Sequence, residues 1–147
     1  PASELRREGN WTVDRGVVEP AFDAPAHLRQ AAGAACVNGE TRATLNAGPT
    51  ALREALAAQP QREDGLAYAP GQIVVTGGAK AAIFNAFAAT LSVDDEVLFP
   101  APYWVSYPDM ILACDGRPVT LACPEEHQFK LTAAKLRHAH TPRHRWL

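Results

Sequence analysis

Two neighbouring stretches hold the residues whose types and spacing suit chemistry. In "QIVVTGGAKAAIF", residues 72–84, a β-branched apolar run meets Gly77 and Gly78, then Lys80, then an alanine-rich helical pattern. Strand, glycines and helix, in that order, make a phosphate cradle. First-turn N–H groups lack an intrahelical partner, the helix dipole favours an anion, and small residues allow close approach. Three cradles compete. A P-loop needs a hydroxyl for Mg²⁺ after its lysine, and Ala81 stands there. A dinucleotide turn of the TGxxxGxG kind wants glycines where Ala81 and Ile83 stand, and side chains there crowd a pyrophosphate. A single phosphate monoester needs only exposed N–H groups and small residues, which Gly78, Ala79 and Lys80 supply. Lys80 either adds its charge or is simply solvated.

The second stretch, "FPAPYWVSYPDM", residues 99–110, sets a rigid Pro-Tyr-Trp loop after a strand. Ligands of open α/β sheets bind at the carboxyl edge of the strands. Trp104 there either stacks on a planar aromatic cofactor or packs in a core or interface. The remaining chemistry-bearing residues read as structural. His127, His138, His140 and His144 are read as solvated rather than as metal ligands, so no metal is expected. Glu125 and Glu126 read as a surface turn, and Arg6, Arg7, Arg143 and Arg145 as solvated charge or surface pairs. Cys36, Cys114 and Cys123 are odd in number, lack CxxC spacing, and read as buried small hydrophobes in a reducing compartment.

Composition narrows the class. The 147 residues are 47% hydrophobic and 20% charged, with a formal charge of -2. That suits one folded domain and gives no electrostatic footprint for nucleic acid. No apolar run approaches the ~20 residues of a membrane helix, and the first residues lack the apolar core of a signal peptide. The expected compartment is the cytoplasm.

The elements that must position the two stretches follow from periodicity. "DAPAHLRQAAGAAC" predicts a helix with Pro25 at its start, and "PTALREALAAQ" a second helix opened by Pro49 and ended by Pro60. "IVVT" predicts a buried strand and "AKAAIFNAFAATL" a helix. "EVLFPAPYW" predicts a strand and loop, "VSYPDMILACDG" a helix stopped by Gly116, "RPVTLAC" a strand, and "TAAKLRHAH" a helix. "RWL" predicts the start of one more strand. Apolar strands alternating with helices predict an α/β fold with a parallel sheet.

Together, "IVVTGGAKAAIFNAF" and "DDEVLFPAPYWVSYPDM" resemble the class I aminotransferases of the aspartate aminotransferase type, pyridoxal-phosphate enzymes of fold type I. "LRREGNWTVDRGVVEPAFDAPAHLRQAA" and "GETRATLNAGPTALREAL" resemble the N-terminal segment of that family. The resemblance implies an N-terminal helical segment over residues 1–70 and, over 71–147, the first βαβαβα part of a truncated large domain that binds the cofactor. It implies amino-group transfer from an amino acid, aspartate being the candidate donor, to a 2-oxo acid, in a homodimer. It gives the cofactor phosphate to the N–H groups of Gly78, Ala79 and Lys80, the pyridine ring to Trp104, and a substrate-carboxylate contact to the backbone of Val18.

Several positions depart from the family pattern. Val18 stands for a glycine, Ala21 for the aspartate of GEPDFD, Ala24 for a helix-capping threonine, and Ala43 for a tyrosine that crosses the dimer. Gly77 stands for an asparagine, and "SVDDE" for NPGDE. The lysine that carries the cofactor in the family belongs beyond Leu147, and Lys80, Lys130 and Lys135 lie in no matching motif. No catalytic residue is therefore expected within the chain. The first strand of this region pairs, in the family, with one from much later. "QIVVT" is thus expected to present unpaired backbone groups, and the chain to be poorly soluble. Two other readings stand beside the enzyme: an inactive remnant or interaction module pairing with an intact relative, and a short-chain dehydrogenase-like dinucleotide binder.

Overall fold

The structure is a computed structural model that describes residues 2–12 and 22–147. The chain forms two compact units, residues 1–43 and 44–147. In the first, α1 (Ala2–Arg7) and α2 (Ala26–Val37) bury no described residue. α2 starts directly after Pro25, whose fixed φ suits a helix start. Ala24, lacking the oxygen of a capping threonine, leaves that end without a side-chain cap.

The second unit runs α3 (Thr50–Asp64), a 3-10 turn, α4 (Ala79–Thr90), β1 (Glu96–Ala101), α5 (Ser106–Ala113), β2 (Arg117–Ala122), α6 (Ala133–Ala139) and β3 (His144–Trp146). The sheet is parallel, in the order β2-β1-β3. β1 pairs with β2 along all six residues, from Glu96↔Arg117 to Ala101↔Ala122. It pairs with β3 only at Glu96 and Val97, with an irregularity between them. The core lies where α4 and α5 cover β1: Phe87, Val97, Phe99, Met110 and Ile111, flanked by Ile83, Leu91, Tyr107 and Cys114. The expected last strand is β3, which opens at His144, one residue before "RWL", and Trp146 on it packs edge-on against Phe87 at 5.6 Å. Its indole N–H donates to Thr90 Oγ1 at 2.8 Å, tying β3 to the end of α4.

Several expectations change. Residues 73–76 form no strand. Ile73 is extended (φ -113, ψ 130), and Val75 N–H donates to Ala47 C=O at 3.0 Å, but no neighbouring strand completes a ladder. Pro60 lies inside α3, which continues to Asp64 and closes on Gly65 in the left-handed region, with Leu66 N–H donating back to Pro60 C=O at 3.2 Å. The proline removes one helical bond, and the glycine cap ends the helix a turn later. After α5 the left-handed residue is Asp115 (φ 58), not Gly116. Of the cysteines only Cys123 is buried, while Cys36 is exposed and Cys114 is in between.

The "SVDDE" turn works without the family's glycine. Asp94 takes φ 66 at that position, one of the few residue types that tolerate it. Asp95 Oδ2 accepts Ser92 N–H at 2.8 Å. The next residue, Glu96, is 8% exposed and knots the amino ends of all three strands. Its Oε2 accepts the Thr141 hydroxyl at 2.7 Å, and its Oε1 lies 3.9 Å from Arg117 Nη1. His144 Nε2 lies 2.9 Å from Oε2 without hydrogen-bond geometry, and its Nδ1 accepts Thr141 N–H. His144, expected in solvent, is buried by this knot. No helix among the described residues is long and apolar enough to cross a membrane.

Candidate functional site

The site lies at the carboxyl end of β1, opposite the Glu96 knot. Ala101–Pro102 is a cis peptide, and the chain turns through Tyr103 and Trp104 into α5. Trp104 packs edge-on against Tyr107, one helical turn along, with ring centres 5.5 Å apart. Phe99, the last core aromatic of β1, touches Tyr103 at 4.7 Å and Tyr107 at 6.4 Å. Trp104 thus stands on an aromatic base and keeps 39% of its surface exposed. One side of this tryptophan is packed and the rest faces solvent.

The glycine turn reaches the same place from the other direction. Gly78 precedes α4 with φ 105 and ψ 169, a conformation that side-chain-bearing residues rarely adopt. Thr76 holds the turn from both sides: its C=O accepts Gly78 N–H at 2.8 Å, and its hydroxyl donates to Gly78 C=O at 3.0 Å. The first intrahelical bond is Ala82 N–H to Gly78 C=O at 3.1 Å. The N–H groups of Ala79, Lys80 and Ala81 therefore belong to the unbonded first turn, where the helix is positive. A Cβ built on Gly78 meets no atom within 4 Å, so the cradle is open. Lys80 Nζ lies 4.9 Å from the Trp104 ring centre, a cation–π contact that joins the two stretches.

This donor set fits a phosphate monoester: free N–H groups, a positive helix end, one ammonium and no facing carboxylate among these residues. The open indole beside it fits a planar ring. Sequence reasoning reached Gly78, Ala79, Lys80 and Trp104, and the fold brings all four to one end of β1. It missed Tyr103 and Tyr107 as the base under Trp104. The signal was there, in the i, i+3 spacing of Trp104 and Tyr107. It also missed Thr76 as the brace of the turn. Val18 lies outside the described residues. Lys135 donates its Nζ to the carbonyl of Ala122, at the end of β2. Among the described residues, no three His, Cys, Asp or Glu side chains gather as a metal group.

Below the loop lies an apolar groove of about 650 Å³, lined by α4, β1 and the Tyr103–Trp104 turn together with Trp146 and Leu147. Its lining is carbon-rich, which suits packing rather than proton transfer.

Known proteins resemble this chain along nearly its whole length. The sequence profile described as aminotransferase class I and II matches residues 16–147. The aspartate aminotransferase of Rhizobium meliloti (strain 1021) is 46% identical over 146 residues, which is 99% of this chain and 36% of that protein. The aspartate/prephenate aminotransferase of Nitrosomonas europaea is 42% identical over 144 residues, again 36% of its length. The crystal structure of the Rhizobium meliloti enzyme superposes with a TM-score of 0.88 over 99% of this chain and 36% of its own. That of the Thermus thermophilus aspartate aminotransferase with maleate gives 0.91 at 43% identity, over 97% of this chain and 37% of its own. The chain spans little more than a third of the length of these relatives. With a family profile that covers residues 16–147, this chain belongs to the class I and II aminotransferases.

Proposed function

We propose that the chain carries one wall of the cofactor site of a pyridoxal-phosphate-dependent aminotransferase, one that moves an amino group from an amino acid, aspartate foremost, to a 2-oxo acid. The observation that supports this most is the meeting of the α4 N-terminus with Trp104, joined by Lys80 at 4.9 Å. The N–H groups of Ala79 and Lys80 would hold the phosphate, Gly78 shaping the turn with its own N–H held by Thr76 C=O, and the Trp104 indole would lie against the ring. The bound cofactor supplies an electron sink for the amino acid's α-carbon. This chain's residues contribute binding and orientation: backbone donors for the phosphate, and an aromatic face that excludes water from one side of the ring.

On this reading residues 71–147 are part of the cofactor-binding large domain and residues 1–70 the N-terminal segment. Val18, with a branched side chain for the family's glycine, would meet the substrate carboxylate only through its backbone. The expectation of a homodimer rests on the family resemblance, and that of the cytoplasm on the cysteine usage and composition. Catalysis needs a lysine bonded to the cofactor, and none of Lys80, Lys130 or Lys135 stands in that motif. The 147-residue chain is therefore expected to give no transaminase turnover, measured with aspartate and 2-oxoglutarate.

Pyridoxal phosphate titrated into the chain should quench tryptophan fluorescence, and Trp104→Phe should remove most of that quenching. Trp11 and Trp146 supply the remaining emission. Equal quenching in the variant would overturn the assignment of Trp104. NADH binding in place of pyridoxal phosphate would favour the dinucleotide reading.

A further inference from the structure

We infer that Thr76 is a positioning residue for the phosphate cradle: its hydroxyl, acting through the Gly78 carbonyl, fixes the direction of the Ala79 N–H. The role presupposes that the cradle holds the cofactor phosphate. The C=O of Gly78 and the N–H of Ala79 belong to one peptide group. That group is planar and trans, so the two point in opposite directions and turn together. The Gly78 oxygen accepts the Thr76 hydroxyl at 3.0 Å and Ala82 N–H at 3.1 Å. Both of its lone pairs are thereby engaged. Any rotation that aims the Ala79 N–H elsewhere breaks both bonds.

The bond from Ala82 is common to any helix start, whereas the bond from Thr76 is particular to this turn. Gly78 sits at φ 105 and ψ 169, and Gly77 precedes it. Two glycines in a row leave the backbone unusually free to swing. The hydroxyl removes that freedom at the peptide that carries the first donor. Thr76 is in turn anchored from behind. Val75 N–H donates to Ala47 C=O at 3.0 Å, and Gly48 lies so close that a Cβ on it would stand 2.7 Å from Val75 Cβ. The β-branched Thr76 side chain has few rotamers, so its hydroxyl stays in place at small entropic cost. A donor aimed before the anion arrives needs no ordering at binding. The hydroxyl proton already lies on Gly78, so Thr76 raises phosphate affinity by aim and not by contact.

The test uses the 147-residue chain with two variants. Thr76→Val keeps the branched shape and loses the donor, and Thr76→Ser keeps the donor. Thr76→Ala serves should the valine disturb the fold, which far-ultraviolet circular dichroism checks. The first readout is the backbone ¹⁵N order parameter of Ala79 in the ligand-free chain. The second is a titration with inorganic phosphate at constant ionic strength, followed at the same amide. In the wild type, Ala79 should be as ordered as the middle of α4. Thr76→Val should lower that order and weaken phosphate binding about three- to tenfold, as expected for one lost hydrogen bond. Thr76→Ser should restore both, and the Trp104 indole N–H should keep its wild-type position in each variant. An Ala79 amide equally ordered in Thr76→Val would overturn the inference. So would weaker phosphate binding with Ala79 still ordered, which would mean that the hydroxyl touches the anion. A serine variant that behaves like the valine one would overturn it too. A wild-type chain whose amides ignore phosphate would remove the cofactor reading and the affinity half of the inference. The order parameters decide the aiming half by themselves.

Discussion

β1 (Glu96–Ala101) and residues 73–76 are both short runs rich in branched and aromatic residues, and both lead into a turn of the candidate site. β1 has two neighbours, a helix on each side of its loop, and four successive residues buried from Glu96 to Phe99. Residues 73–76 have one backbone bond to residue 47, no ladder, and Val74 largely in solvent. The difference is not propensity. A strand's hydrogen bonds are all made to other segments, whereas a helix makes its own. β1 finds partners within about fifty residues, and the earlier run finds none among the described residues. Gly48 shows how close it comes to packing: a Cβ there would stand 2.7 Å from Val75 Cβ, so glycine is what lets residues 47–48 lie along the run.

Substitutions can break or sharpen this contrast. Ile111, fully buried against β1, should show the largest effect: Ile111→Ala is expected to cost about 2–5 kcal/mol and to lower the thermal midpoint steeply. Removing Glu96 strands the Thr141 hydroxyl and the buried His144, so Glu96→Ala should cost about 1–3 kcal/mol, read by urea denaturation. Val74→Ala, the matching truncation on the unpaired run, should stay within about 0.5 kcal/mol of wild type in the same assay, as at an ordinary surface position. A loss at Val74 as large as that at Ile111 would mean the run is packed after all, and the contrast would fall.

The same contrast explains what could be read from the residues alone. α2 to α6 were legible because helices encode themselves in local periodicity and in Pro25 and Pro49. β1 and β2 were legible as dense apolar runs bounded by turns. The run at 73–76 carried the same local signal, and its lack of a partner is a long-range fact; the resemblance alone anticipated it. Pro60 was misplaced because its local rule, that proline ends helices, yielded to the glycine cap at Gly65. The burial of His144 needed Glu96, 48 residues away in sequence, to be visible. At the site, Gly78 and Lys80 were readable from spacing, whereas the aromatic base under Trp104 needed the turn after Ala101.

The most direct test of the cofactor wall is a two-dimensional ¹⁵N–¹H spectrum of the chain during titration with pyridoxal phosphate, with pyridoxal and inorganic phosphate as comparisons. The account predicts that the backbone amides of Gly78, Ala79 and Lys80 and the indole N–H of Trp104 shift together with the phosphorylated ring. Phosphate alone should move only the three amides. Shifts confined to other residues, or none at these four positions, would contradict it.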